Sequence, residues 1–183
     1  MLKSRLCIAF FAFAVGCAPA QKPLTDYVNP MLGTATLWDS VDLGFKPTKR
    51  TWGAEVFPGS SLPNAMVQVS PVTKFHSGAG YQYEDSVIYG FTHTNKGHWN
   101  LCHIPLLPVT GTPTPGDYCS PFSHERESAA PGYYQVFLDR YGVDAQLSST
   151  LRCAFHKYTY PAGAAPAVLA DLCLLYTSDA ADE

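Results

Sequence analysis

Charge is scarce in this 183-residue sequence: 12 Lys and Arg stand against 15 Asp and Glu, giving a net charge of −3. Without a basic excess the footprint of a nucleic-acid binder is missing, so no nucleic-acid partner is expected. Outside the first 17 residues no window carries apolar residues at i, i+3, i+4 and i+7, which argues against an architecture of amphipathic helices. Internal repeats and low-complexity linkers are absent. So is any C-x-x-C pair, and His98 and His103 lie at no zinc-ligand spacing, so no metal ligand is assigned. What the chain does have is 46% hydrophobic residues, enough for a packed core. Its 15 prolines, 14 glycines and 13% aromatics suit many turns and short strands.

Both ends stand apart from the rest. Met1-Leu-Lys-Ser-Arg5 followed by an apolar run from Leu6 to Val15 reads as an export signal, too short for a stable membrane span. It closes in Ala14-Val-Gly-Cys17, which resembles a bacterial lipobox with Cys17 as the acylated residue; ordinary cleavage after Ala18 or Ala20 is the alternative. Residues 1–17 are thus expected to be the signal and 18–25 a short tether. The expected location is periplasmic, or the outer membrane or cell surface of a Gram-negative bacterium, with membrane contact only through a lipid anchor. At the other end, residues 173–183 resemble a translated sequencing adapter, so the natural gene is expected to continue past Leu172. Setting aside Cys7, Cys17 and Cys173 leaves Cys102, Cys119 and Cys153, an odd number that permits one bridge without saying which.

Between the ends, short apolar runs alternate with turn signals. Strands are expected at 65–70, 86–92 and 151–160, with another beginning at Ala167. Residues 104–109 are nearly all apolar, but Pro105 and Pro108 predict an edge or irregular strand. Tyr134, Val136 and Leu138 share one strand face, Val143, Ala145 and Leu147 resume the alternation, and Asp139-Arg-Tyr-Gly142 between them predicts a β-hairpin. Strands roughly every ten residues predict an all-β sandwich over 26–172, incomplete at its C-terminal end.

Several stretches, in order, carry a resemblance. They are Asp26-Tyr-Val-Asn-Pro-Met-Leu-Gly-Thr34, the run from Val56 to Pro71 beginning Val-Phe-Pro-Gly-Ser, and the run from Gly80 to Thr94. After them come Phe122-Ser-His-Glu-Arg-Glu-Ser-Ala-Ala-Pro-Gly-Tyr-Tyr134 and, more weakly, Arg152 through His156-Lys-Tyr-Thr-Tyr-Pro161. Together they resemble the N-terminal domain of glycoside hydrolase family 92. The resemblance implies a supersandwich-like β domain that precedes a helical catalytic domain. It also implies calcium-dependent, inverting removal of terminal α-linked mannose (α-1,2, for example) from N-glycans or mannan. The catalytic acid, base and calcium ligands would then lie mainly in the helical domain, which makes that domain a partner and leaves no catalytic residue in this chain. The competing reading is a non-catalytic carbohydrate-binding surface lipoprotein.

An inverting glycosidase needs two carboxylates roughly 6.5–9.5 Å apart around a water. Glu125 and Glu127, two apart, are read as structural or interface acids, with Glu125 kept as a substrate-binding candidate. His93 is a candidate either for a sugar hydroxyl or for supporting its loop. In the stretch 95–103, where many family members carry a Ser/Gly/Thr-rich loop with an acid, Trp99 offers a flat face, with His98 and Asn100 as polar partners. His76 stands in a loop where many members have a tryptophan, and Trp52 is a further platform; for both tryptophans the competing role is packing. Gly59, Gly80, Gly90 and Gly132 are assigned to turns or bulges.

Overall fold

The computed structural model describes residues 22–36, 56–73, 78–96, 99–100 and 103–172, and for 95–96 and 99–100 the backbone alone. The expected export signal, Cys17, residues 18–21 of the expected tether and residues 173–183 lie outside the described residues. In chain order the strands are β1 Ser60–Ser61, β2 Gln68–Val72, β3 Val87–Ile88, β4 Gly90–Thr92, β5 Asn95–Lys96, β6 Trp99–Asn100 and β7 Leu106–Thr110. They continue with β8 Ser120–Pro121, β9 Glu127–Ala130, β10 Tyr133–Leu138, β11 Val143–Ser149, β12 Ala154–Thr159 and β13 Pro166–Ala170. Two single 3-10 turns, Leu24–Tyr27 and His124–Arg126, are the helical elements among the described residues.

Two antiparallel sheets face each other. One has the order β1-β2-β4-β7-β13 and the other β12-β11-β10-β9; β3 pairs with β8, and β5 with β6, as separate two-stranded pieces. The expected hairpin is β10–β11, in the register Tyr134↔Leu147, Val136↔Ala145, Leu138↔Val143. All six of those side chains are buried. Each larger one contributes about 1.5–3 kcal/mol by leaving water. The connection closes with Gly142 N–H donating to the Leu138 carbonyl, and Gly142 takes φ +65°, a conformation side chains disfavour. From the opposite sheet Val69, Phe91, Leu107 and Val109 complete the core, and β11 packs across onto β1, β2 and β7. The chain is therefore an all-β sandwich.

Three local expectations are corrected. Residues 86–92 form two strands in different sheets, because the Tyr89 N–H turns to the Val72 carbonyl between them. In the stretch 95–103, where no strand is expected, Asn95↔Asn100 and Lys96↔Trp99 pair as a short antiparallel ladder. Finally, β7 is flanked on both sides rather than lying at an edge. Its register with β13, fixed by Gly111 N–H to Ala165 O and Asp171 N–H to Pro105 O, puts Pro108 opposite Val168 at a non-hydrogen-bonded position. The missing N–H of Pro108 thus points toward β4, whose ladder with β7 is the one pair Phe91↔Leu106, so no bond is lost there.

Glycine at position 59 answers a close approach. A Cβ there would lie 2.0 Å from the Val69 carbonyl oxygen and 2.7 Å from Ser70 Cα. Nearby, Leu62-Pro-Asn-Ala65 closes with Ala65 N–H to Leu62 O, and Asn64 has φ +58°. Proline followed by a positive-φ asparagine is the arrangement of a type II turn.

Candidate functional site

At one end of the sandwich β4 runs out into His93, whose carbonyl accepts from Gln68 N–H. The half-buried His93 ring crosses to the other sheet: its Nε2 lies 2.9 Å from Nε2 of His156 on β12, with ring centroids 4.9 Å apart. The backbone of Ile104 and His103 lies beside the His93 ring. His156 in turn places Nδ1 2.7 Å from the Tyr158 hydroxyl, and Phe91 packs edge-on against it. Burial lowers the His93 imidazole, and the backbone of residues 103 and 104 works against that shift. His156 is pushed down to about 4, first by burial and then by the charge of His93. Two neutral rings, one donating and one accepting, satisfy this contact. Ser60 and Ser149 add a second bridge between the sheets, Oγ to Oγ at 2.7 Å.

A second cluster surrounds Glu127. The inward face of β9 carries this carboxylate, 2% exposed, against β10. It accepts from Tyr81 Oη at 2.9 and 3.0 Å and from Tyr134 Oη at 2.6 Å, and meets His124 Nδ1 at 2.5 Å. The other ring nitrogen, Nε2, lies 2.7 Å from the Tyr83 carbonyl. The ring is stacked on Tyr83 at 4.0 Å and 9° and meets Phe122 edge-on. Burial first, then the Glu127 charge, raises the hydroxyls of Tyr81 and Tyr134 well above the ordinary tyrosine range. Outside this buried group opens a cleft of about 500 Å³ lined by Tyr83, Glu84, Asp85, Ser123, His124 and Glu125. A third hollow, about 600 Å³ and largely apolar, lies between Tyr89, Tyr118 and the end of β13; there the Tyr118 hydroxyl donates to Asp171.

Of the residues singled out in the sequence, His93 and Glu125 are described with their side chains. They do not come together: His93 joins β12 and the backbone after β6, whereas Glu125 sits exposed on the 3-10 turn beside the Tyr83 cleft. Glu125 and Glu127 also part company, one facing solvent and the other the core. Trp99 and Asn100 lie on β6, seven and eight residues beyond the end of β4. Trp52, His76 and His98 lie outside the described residues. Cys119 and Cys153 are free, and Cys102 lies outside the described residues. Sequence reasoning passed over Tyr83, His124 and His156. For His156 a signal existed: it alternates with Ala154 and Tyr158 on the inward face of a strand, where a polar ring needs a partner. Among the described residues no three His, Cys, Asp or Glu side chains converge.

A family model, the glycosyl hydrolase family 92 N-terminal domain, matches residues 27–182. Among solved structures, the chain is similar to a family GH92 α-mannosidase from Bacteroides thetaiotaomicron in complex with mannoimidazole, at 32% identity and a TM-score of 0.63. That match covers 76% of this chain and 18% of the other. It is also similar to a family GH92 inverting mannosidase from Bacteroides thetaiotaomicron VPI-5482, at 27% identity and a TM-score of 0.64, covering 83% of this chain and 20% of that one. A GH92 family glycosyl hydrolase, ccman5, matches at 28% identity and a TM-score of 0.63 over 81% of this chain and 20% of its own. The chain therefore spans about a fifth of the length of these structures. No curated protein sequence matches.

Proposed function

The chain belongs to glycosyl hydrolase family 92, through that family's N-terminal domain, and on this premise we propose that it is the sandwich portion of an exo-acting α-mannosidase. The observation that carries the reading is the 32% identity, over 76% of this chain, to an α-mannosidase holding mannoimidazole. In the proposed enzyme, terminal α-linked mannose (α-1,2, for example) leaves N-glycans or mannan with inversion, and calcium assists at the sugar ring.

The proton transfers belong outside the described residues. Inversion needs an acid and a base on opposite sides of the anomeric carbon, roughly 6.5–9.5 Å apart, with water between. Glu127 is buried and already occupied by two tyrosines and a histidine, so neither a water nor a glycosidic oxygen reaches it. That leaves Glu125 without a partner carboxylate from β9. The role proposed for this domain is binding: it presents the β5–β6 hairpin with Trp99 and Asn100, and loops beside it, to the sugar. The ion's ligands are assigned mainly to the helical domain, as the family resemblance implies.

The test compares the 183-residue chain with the complete gene product on an aryl α-mannoside. We expect no turnover from the chain, and from the complete product calcium-dependent release of β-mannose as the first anomer seen by NMR. Turnover by the chain alone, or a complete product inert on α-mannosides, overturns the reading. Export and lipidation at Cys17 belong to the same proposal, supported by the basic, apolar and small-residue order of residues 1–17. Palmitate labelling that survives Cys17→Ser would refute the anchor.

A further inference from the structure

We infer that His93 and His156 are positioning residues that clasp the base of the β5–β6 hairpin to β12 of the opposite sheet. The hairpin has two residues in each strand and pairs with no other strand among the described residues. An isolated two-stranded piece of that size is marginal in water, so something at its base must hold it. His93 stands two residues before β5, and His103 and Ile104 follow β6. The backbone of both lies close enough to the His93 ring to raise its proton affinity, which puts the ring beside both ends of the hairpin. Its Nε2 then reaches His156, 63 positions later in sequence, at 2.9 Å.

The backbone records the same demand. Ile104 has φ +48°, which a β-branched side chain resists. Such strain, of order 1–3 kcal/mol, persists where surrounding contacts over-determine it. Here the His93 ring, bonded to His156, lies beside the backbone of residues 103 and 104. The groups facing the pair are Phe91 from β4, Tyr158 from β12 and the backbone of 103–104. No carboxylate or cation is bonded to either ring among the described residues. The low proton affinity of His156, down to about 4, fits a neutral N–H···N bond. The clasp depends on the mannosidase reading only for what the hairpin is used for. Its test is made on this chain without sugar, so a failed clasp leaves that reading standing and the reverse also holds.

In the 15N-labelled chain a scalar coupling between the two Nε2 atoms is expected. His156→Leu should raise hydrogen exchange at Asn95, Lys96, Trp99 and Asn100 by about tenfold or more while Val136 and Ala145 stay protected. His156→Gln, which keeps a donor, should recover part of that protection. A folded His156→Leu chain with an unchanged hairpin, or a glutamine variant no better than leucine, overturns the clasp. If His156→Leu does not fold, acidification of the wild-type chain decides. Coupling and hairpin protection should vanish together while the core holds, and a hairpin that outlasts the coupling refutes the inference.

Discussion

The Tyr134 hydroxyl donates to Glu127 Oε1 at 2.6 Å, from a position one diagonal step along the β9–β10 ladder. That bond, with those from Tyr81 and His124, is what lets a carboxylate sit 2% exposed inside the sandwich. Tyr134→Phe removes one of three donors and should cost about 1.5–3 kcal/mol. Glu127→Ala strands all three and should cost about 3–5 kcal/mol. Urea unfolding of the two variants checks the order; equal losses would mean the carboxylate is not shared as described.

The histidine pair sets an acid limit. His156, lowered to about 4, and His93, lowered as well, bind protons less readily folded than unfolded. Their contribution is whole above the ordinary histidine value of about 6.5 and is lost as pH falls from there through about 4. Thermal unfolding between pH 7 and 4 should show a falling melting temperature. His93→Gln,His156→Gln should flatten that slope, and an unchanged slope would place the acid sensitivity elsewhere. At the alkaline end the raised Tyr81 and Tyr134 hydroxyls stay protonated in the fold, so stability also falls above about pH 10.

Gly59 is a steric requirement of the β1–β2 approach. Gly59→Ala drives a methyl group into the Val69 carbonyl and Ser70 Cα, both backbone, so no side chain can yield. We expect a loss of about 3 kcal/mol or more, larger than most single substitutions. By contrast, Gly116→Ala meets nothing within 4 Å and suffers only from its φ of +80°. A circular-dichroism melt of both variants tests the contrast, and a mild Gly59→Ala would require β1 to sit farther from β2.

The legible parts of this fold were the local ones. The β10–β11 hairpin announced itself through Tyr134, Val136, Leu138 and then Val143, Ala145, Leu147, because a two-residue period and a positive-φ glycine are properties of adjacent residues. The order β1-β2-β4-β7-β13 was not legible, since pairings such as Ala167↔Val109 join segments more than fifty residues apart. The same holds for the site. His93 was visible in its motif, but its partner His156 lies in another sheet, and the burial of Glu127 depends on Tyr81, forty-six residues earlier.

Pro108 also acts as a key for strand alignment. Sliding β7 by one residue against β13 would bring its ring to a place where an amide hydrogen is required, and would swing Leu107 and Val109 from the interior to the water. The competing alignment is thus penalised twice, by a lost bond and by an inverted face, and a residue that looks like a strand-breaker makes the correct pairing the distinctive one.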